Sequence, residues 1–373
     1  MGINRRQMGL GLLATGIGGT AAYSLLSDGD LAALVTGQHA DPIDLWGFIG
    51  GEKADFIRNP QVVAHLKRAH GLTIDARRAG SVEMVSEQQI FGQGADFLWP
   101  SSSVMVEMAR QHGVPVRRDQ VIFNSPIVLY SWLPIVQALM AEGIVEERKP
   151  DFFVVDLKRL IEAVIEGRSW ASLGVDRLYG QVIINATDPT KSNSGFMFAG
   201  LVANLLSDGV ATTDGIGRHL DAIDHLFERM GYKEHSSGKL WNSYLNEGMG
   251  GKPLVIGYEN QLIEFVLGQP DSWSRIRTSP MRPVALYPEP TVYSAHPLLS
   301  LNQNADRLIA ALKDPVIQDM AWSDHGFRGQ LGGAGNADLG IPGVPSQLDL
   351  IAPMPDARVM VAVLDSMRSL STL

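Results

Sequence analysis

Apolar and polar positions along the chain fall into a recurring order: a short β-rich run, a small polar turn, then a stretch with helical spacing. Pro42 to Phe56 (PIDLWGFIGGEKADF) predicts a strand, a Gly50-Gly51 turn and a helix opening at Glu52. Asn59-Pro60 splits that helix before it ends at His70, and LTIDARRAGS supplies a second strand. The order repeats at Ala95 to His112, as strand, Pro100–Ser103 turn and amphipathic helix. It repeats again at Lys252 to Gly268, where Tyr258-Glu259-Asn260 is the turn. In the middle, LYGQVIIN (Leu178 to Asn185) predicts a strand, Thr187 to Gly195 a polar loop, and the apolar run to Leu206 a buried helix. Further helices are expected over Asp156–Gly167, His219–Met230, from Ala305, and over Pro355–Leu370, with Gly326 to Pro355 as a wrapping loop.

Two stretches break the order. Gln120 to Val145 has two β-rich halves around Ser125-Pro126 and then a helix from Pro134, whereas Arg282 to Leu301 is extended and carries four prolines. Proline cannot donate to a β ladder, so both stretches predict edges or crossings between domains and not central strands. The resulting expectation is an α/β chain of two lobes with parallel-type sheets, one lobe from 41–125 plus 290–373 and the other from 126–289, with a cleft between them.

Composition narrows the function. The 373 residues suit two domains, and 45% hydrophobic with 19% charged residues is ordinary for a globular protein. A net charge of −9 without a basic run argues against nucleic acid and against an anionic membrane surface. The absence of cysteine removes disulfides, thiol catalysis and Cys metal sites. Arg5-Arg6 precede the uncharged, glycine-rich run Met8 to Leu26. Residues 1–27 therefore predict an export signal of the twin-arginine type, with a Sec signal or an uncleaved anchor as alternatives, and an extracytoplasmic body.

The polar turns are the candidate chemistry. A helix that begins at the carboxyl end of a strand points free N–H groups and a partial positive charge at whatever lies beyond, which predicts anion binding around Thr187–Gly195. The same residues also serve as a helix cap, as do Ser101 and Ser102 for the helix near Val104. Glu259 is expected at the cleft, where a carboxylate disfavours a fully ionised anion and favours a ligand with both acidic and hydroxyl or amine groups; otherwise it pairs with a lobe-crossing arginine. Trp46 and Trp99 either stack on a ligand or fill the core. Catalytic motifs are missing: no HExxH, no GxSxG elbow and no phosphate loop, while Ser323, Asp324 and His325 are too close in sequence to form a triad.

The turns Gly50-Gly51-Glu52, Trp99-Pro100-Ser101-Ser102, Asp188–Gly195 and Tyr258-Glu259, with YPEPTVYSAHP and WSDHGFR, make the chain from about residue 41 to 328 resemble the type II extracellular solute-binding proteins of ABC transporters. That group includes phosphate- and molybdate-binding members, although the long Ser-Gly-Thr signature of phosphate receptors is absent in its usual form. The resemblance implies a Venus-flytrap receptor without catalysis, cofactor or metal, a monomer that captures a small polar, acidic solute for a membrane permease. Its implied ligand-binding set is Gly50, Gly51, Glu52, Trp99, Ser101, Ser102, Thr187, Asp188, Lys191, Ser192, Asn193, Ser194, Gly195, Tyr258 and Glu259. An anchored sensor or assembly protein, or an exported hydrolase on the same fold, are the alternatives.

Overall fold

The computed structural model describes residues 41–148, 152–329 and 339–370; the expected export signal lies outside them. The first lobe begins with β1 (Ile43–Ile49), a 3-10 turn (Gly51–Lys53), α1 (Ala54–Arg58), α2 (Pro60–His70), β2 (Leu72–Arg78), α3 (Ser81–Ser86), α4 (Gln88–Phe91), β3 (Phe97–Trp99) and α5 (Val104–Gln111). Asn59 separates α1 from α2 as expected. Its side chain accepts from the Gln61 N–H at 2.9 Å, and Pro60 sits at the first helical position, where its missing donor costs nothing.

β4 (Arg118–Trp132) then carries the chain into the second lobe. There follow α6 (Leu133–Ala141), β5 (Val145–Arg148), β6 (Phe152–Val155), α7 (Leu157–Ile165), α8 (Asn193–Leu206), α9 (Thr213–Ile216), α10 (Leu220–Glu228), α11 (Ser237–Gly251), β7 (Val255–Tyr258), α12 (Glu259–Gly268), α13 (Pro270–Ile276) and β8 (Pro283–Pro288). β9 (Thr291–Ser300) returns to the first lobe, followed by α14 (Gln303–Leu312), α15 (Pro315–Ser323), β10 (Ile351–Ala352) and α16 (Ala357–Leu370). This last helix packs on α5 of the first lobe and on α9 and α10 of the second.

The strands run in the order β2-β1-β3-β9-β4-β8-β6-β5. β4 and β9 are the crossings. Arg118 to Pro126 pairs with β9, and Ile127 to Trp132 pairs with β7 and β8, so Ser125-Pro126 marks the point where one strand changes lobes. The sheet is mixed, not parallel-type: β1 pairs parallel with β2 and β3, but every pairing of β4 is antiparallel, because the two crossings run in opposite directions.

Two sequence expectations give way. The four prolines of 282–301 do not keep that stretch out of the sheet interior, since β9 lies between β3 and β4 and β8 between β4 and β6. Pro283 and Pro288 are the terminal residues of β8, Pro290 falls between strands, and Pro297 faces Val121, where the register slips toward Phe123; each avoids a regular ladder position. Leu178 to Asn185 is not a strand. It holds isolated bridges at Gln181 and Asn185, and its Val182 and Ile184 are buried without belonging to any ladder.

One core of the first lobe gathers Phe56, Trp99, Phe123 and Phe327 between the sheet and α1, α2, α14 and α15. Phe56 makes edge contacts with all three other rings at 5.0 to 6.3 Å. The other core runs unbroken from Phe48 and Leu98, on the opposite face of that sheet, through Met105 and Ile127 to Phe196 and Tyr244 in the second lobe. Helix α8 is apolar all round because it lies inside this core, with only its first turn reaching the cleft.

Candidate functional site

A cavity of about 570 Å³ opens between the lobes. The lining takes the N-cap and an early residue of each of five elements: Gly50 and Gly51 of the 3-10 turn, Gly80 and Ser81 of α3, Ser192 and Asn193 of α8, Ser236 to Lys239 of α11, and Tyr258 and Gln261 of α12. Four helices and the 3-10 turn thus present their N-terminal ends to one space, which favours negative charge at the helix starts. Among the described residues the N–H groups of Asn193 and Ser194 have no acceptor. The Gly195 N–H is taken by Thr187 Oγ1 at 2.8 Å. Exposed Arg78 and Lys239 add positive charge, while Glu52, Asp55 and Glu264 supply carboxylates on the same lining.

Of the residues expected from sequence, Gly50, Gly51, Glu52, Ser192, Asn193 and Tyr258 line this cavity. The others stand behind it. Thr187 and Ser194 are fully buried and share a hydrogen bond of 2.7 Å. Asp188 folds its own loop by accepting from the Thr190 N–H and hydroxyl, and Lys191 reaches back to Asp188 at 3.7 Å. A Cβ on Gly195 would stand 2.2 Å from the Thr187 carbonyl oxygen, so this position admits glycine alone. Ser102 accepts from the Val104 N–H, and Trp99 is a core ring whose indole N–H donates to the His296 carbonyl. Glu259 does not face the cleft. It forms a two-pronged pair with Arg328 at 2.7 Å through each oxygen and accepts from the Tyr287 hydroxyl, while Arg328 also donates to the carbonyls of Pro345 and Ser346. This is the arginine partnership weighed from the sequence, and it pins the returning loop to the second lobe.

The network behind Glu52 has no counterpart in the sequence reading. Lys53 is completely buried; its ammonium donates to the Glu52 carboxylate, to Ser101 Oγ at 2.7 Å and to His296 Nδ1 at 3.1 Å. With Nδ1 accepting, the His296 proton lies on Nε2 and donates to Ser294 Oγ at 3.3 Å, and Ser294 in turn donates to the Ser101 carbonyl at 2.5 Å. Burial alone would raise the Glu52 carboxyl, but the Lys53 ammonium, His296 and the bonds from Lys53 and Ser101 outweigh it and bring it down to about 2. Burial holds Lys53 below the usual lysine range against the pull of Glu52. Burial, with the nearby Lys53 cation, keeps His296 well below the usual histidine range and therefore neutral. Glu52 is thus a permanent carboxylate on the cavity wall, suited to accept from ligand hydroxyl or amine groups.

The lobes meet across the cavity. Asn193 Nδ2 donates to the Ser101 carbonyl of the first lobe at 2.7 Å and to Tyr258 Oη at 3.0 Å, while its buried Oδ1 has no partner among the described residues. Gly80 backs onto the Lys191 carbonyl so closely that a Cβ there would lie 2.1 Å from the oxygen.

This architecture is the two-lobe α/β fold of the type II periplasmic binding proteins. The sequence matches no family model and no curated protein. Solved structures with the same fold include IdiA (FutA) from Trichodesmium, in complex with iron and citrate, at 10% identity and a TM-score of 0.55 over 88% of this chain and 99% of that one. The periplasmic binding protein AfuA from Actinobacillus pleuropneumoniae, with fructose-6-phosphate bound, is similar at 12% identity and 0.54 over 87% and 98%. The sulfate-binding protein SubI from Mycobacterium tuberculosis is similar at 13% and 0.52 over 89% and 99%. Of these neighbours one is in complex with iron and citrate, one has a sugar phosphate bound and one is sulfate-binding, so the likeness establishes the fold and singles out no ligand. Among the described residues no helix is long and apolar enough to cross a membrane.

Proposed function

We propose that the chain is an extracytoplasmic solute receptor that captures a small polar, acidic solute in the inter-lobe cavity and hands it to the membrane permease of an ABC transporter, acting as a monomer and without catalysis. The observation that carries this reading is the convergence of four helix N-termini on one cavity that also holds the ionised Glu52. The acid of the solute meets the helix starts, including the N–H groups of Asn193 and Ser194. Its hydroxyl or amine groups meet Glu52 and the unpartnered Asn193 Oδ1. That AfuA and SubI, which share this fold, are binding proteins supports a receptor over an enzyme.

Native mass spectrometry of protein purified without refolding tests the reading. One equivalent of a small acidic solute is expected, released intact on denaturation, and calorimetry with that solute should show saturable binding. A solute lacking any acidic group would refute the ligand class, and a bound molecule that is converted on incubation would make the protein an enzyme.

A further inference from the structure

The amino end of β1, where the Ile43 N–H meets the Gly71 carbonyl, lies at the opposite pole of the first lobe from Gly50 and the cavity. At that pole the end of α2 faces the start of α15. His65 Nε2 and His70 Nε2 both approach the same carboxylate oxygen, Asp314 Oδ2, at 2.9 and 2.8 Å. The other oxygen, Oδ1, is committed to the Val316 N–H at 2.8 Å as the helix cap, so Asp314 cannot turn away. The two imidazole centroids are 5.7 Å apart, and the three ligand atoms lie within 4.8 Å of one another. All three side chains are partly exposed, between 14 and 26%. The His70 carbonyl is held in turn by Arg307 at 2.9 Å, which fixes the end of α2.

We propose that this His65–His70–Asp314 cluster is a metal site for a first-row divalent cation, with zinc as its best occupant. Two imidazoles and one carboxylate are ligands that suit zinc and its neighbours and not calcium or magnesium, which take oxygen shells. Bonds of about 2.0–2.2 Å in a tetrahedral shell put ligand atoms roughly 3.3 Å apart. The present N···O distances need to widen by only about 0.5 Å, within reach of exposed side chains at helix ends. Zinc takes the place of the protons that the two Nε2 atoms share with Asp314, and water completes the shell from solvent. The ligands come from the two ends of the chain's first-lobe contribution, so the ion clamps α2 to α15 and favours the folded lobe over the unfolded chain. It acts independently of the solute cavity.

The test uses tag-free full chain, dialysed against EDTA and then titrated with zinc chloride in a calorimeter and in a melting experiment. One equivalent should bind saturably and raise the melting temperature, and cobalt in its place should give the visible absorption of a tetrahedral centre. His70→Ala and Asp314→Asn should each weaken zinc binding by at least about 10-fold, and His65→Ala/His70→Ala should abolish both the heat and the melting shift. Asp314→Asn keeps an oxygen for the Val316 cap, and circular dichroism without metal confirms that it folds. No saturable binding by the parent chain, or undiminished binding by the double variant, would overturn the proposal.

Discussion

Gly80→Ala probes the closed arrangement of the lobes more cleanly than any change to a charged group. The backbone at Gly80 has φ −66° and ψ 144°, which alanine adopts freely, and the Glu83 carboxylate that accepts from its N–H at 3.0 Å is the end of a flexible side chain, which can shift from its place 2.8 Å from the new Cβ. The methyl meets its rigid obstacle on the other side. It would lie 2.1 Å from the Lys191 carbonyl, where ordinary contact begins at 3.4 Å, so the loop of the second lobe has to retreat by more than about 1 Å. Overpacking of this kind costs about 1–3 kcal/mol, which corresponds to roughly 5- to 150-fold in affinity if solute binding requires closure. The solute recovered by native mass spectrometry should therefore bind Gly80→Ala more weakly by that factor in calorimetry. If the ligand-free protein opens and so releases the contact, it should melt as the parent does. Parental affinity would refute the reasoning, since it would mean that the bound state leaves Gly80 and Lys191 apart. A melting temperature that falls while affinity holds would place the contact in the rigid core.

Other perturbations test the buried groups. Glu52→Gln leaves the Lys53 ammonium buried without its anion, so urea unfolding should show a loss of about 3–5 kcal/mol, whereas Lys53→Met/Glu52→Gln should recover much of it. Because His296 is held neutral below its usual range, stability should decline as pH falls through about 6.5, where the unfolded chain takes up the proton that the folded chain refuses. Urea midpoints between pH 7 and pH 5 should show this slope, and His296→Gln should flatten it. Arg328→Met strands Glu259 and frees the 345–346 loop, with an expected loss of about 3–5 kcal/mol; a drop below 1 kcal/mol would mean that water reaches the carboxylate. Solution scattering should give a smaller radius of gyration at saturating solute than without it, and an unchanged value would count against hinge closure.

Local grammar made much of the fold legible. The units at 42–56, 95–112 and 252–268 were readable because glycine, proline and serine punctuate runs whose period changes from two to nearly four. Ser125-Pro126 pointed to a crossing for the physical reason that a ladder tolerates proline poorly. Pro297 misled for the same reason, since its host strand absorbs it at a register slip that nothing local encodes. Leu178 to Asn185 misled because burial and pairing favour the same β-branched residues, and only tertiary neighbours decide between them. At the site, the glycines and Asn193 could be found from the turn, but Lys53 could not: a lysine after a glutamate in a helix start reads as solvated, and its burial depends on Ser101 and His296, which arrive from distant strands. Ser236, Ser237 and Lys239 gave no signal beyond an ordinary helix start.

The β4–β9 ribbon reaches the junction of the lobes paired from Phe123 to Pro126, and β4 then continues paired with β7 and β8. A receptor that opens on such a ribbon does not melt a linker to do so. If the lobes open on this ribbon, the motion would be stored as twist in a paired strand, so no backbone donor would be surrendered to water and no loop would have to be ordered again when the solute arrives. On this reading the hinge acts as a torsion spring, and the amides of Phe123, Asn124, Ser125 and Ile127 should resist hydrogen exchange equally in the empty and the occupied protein.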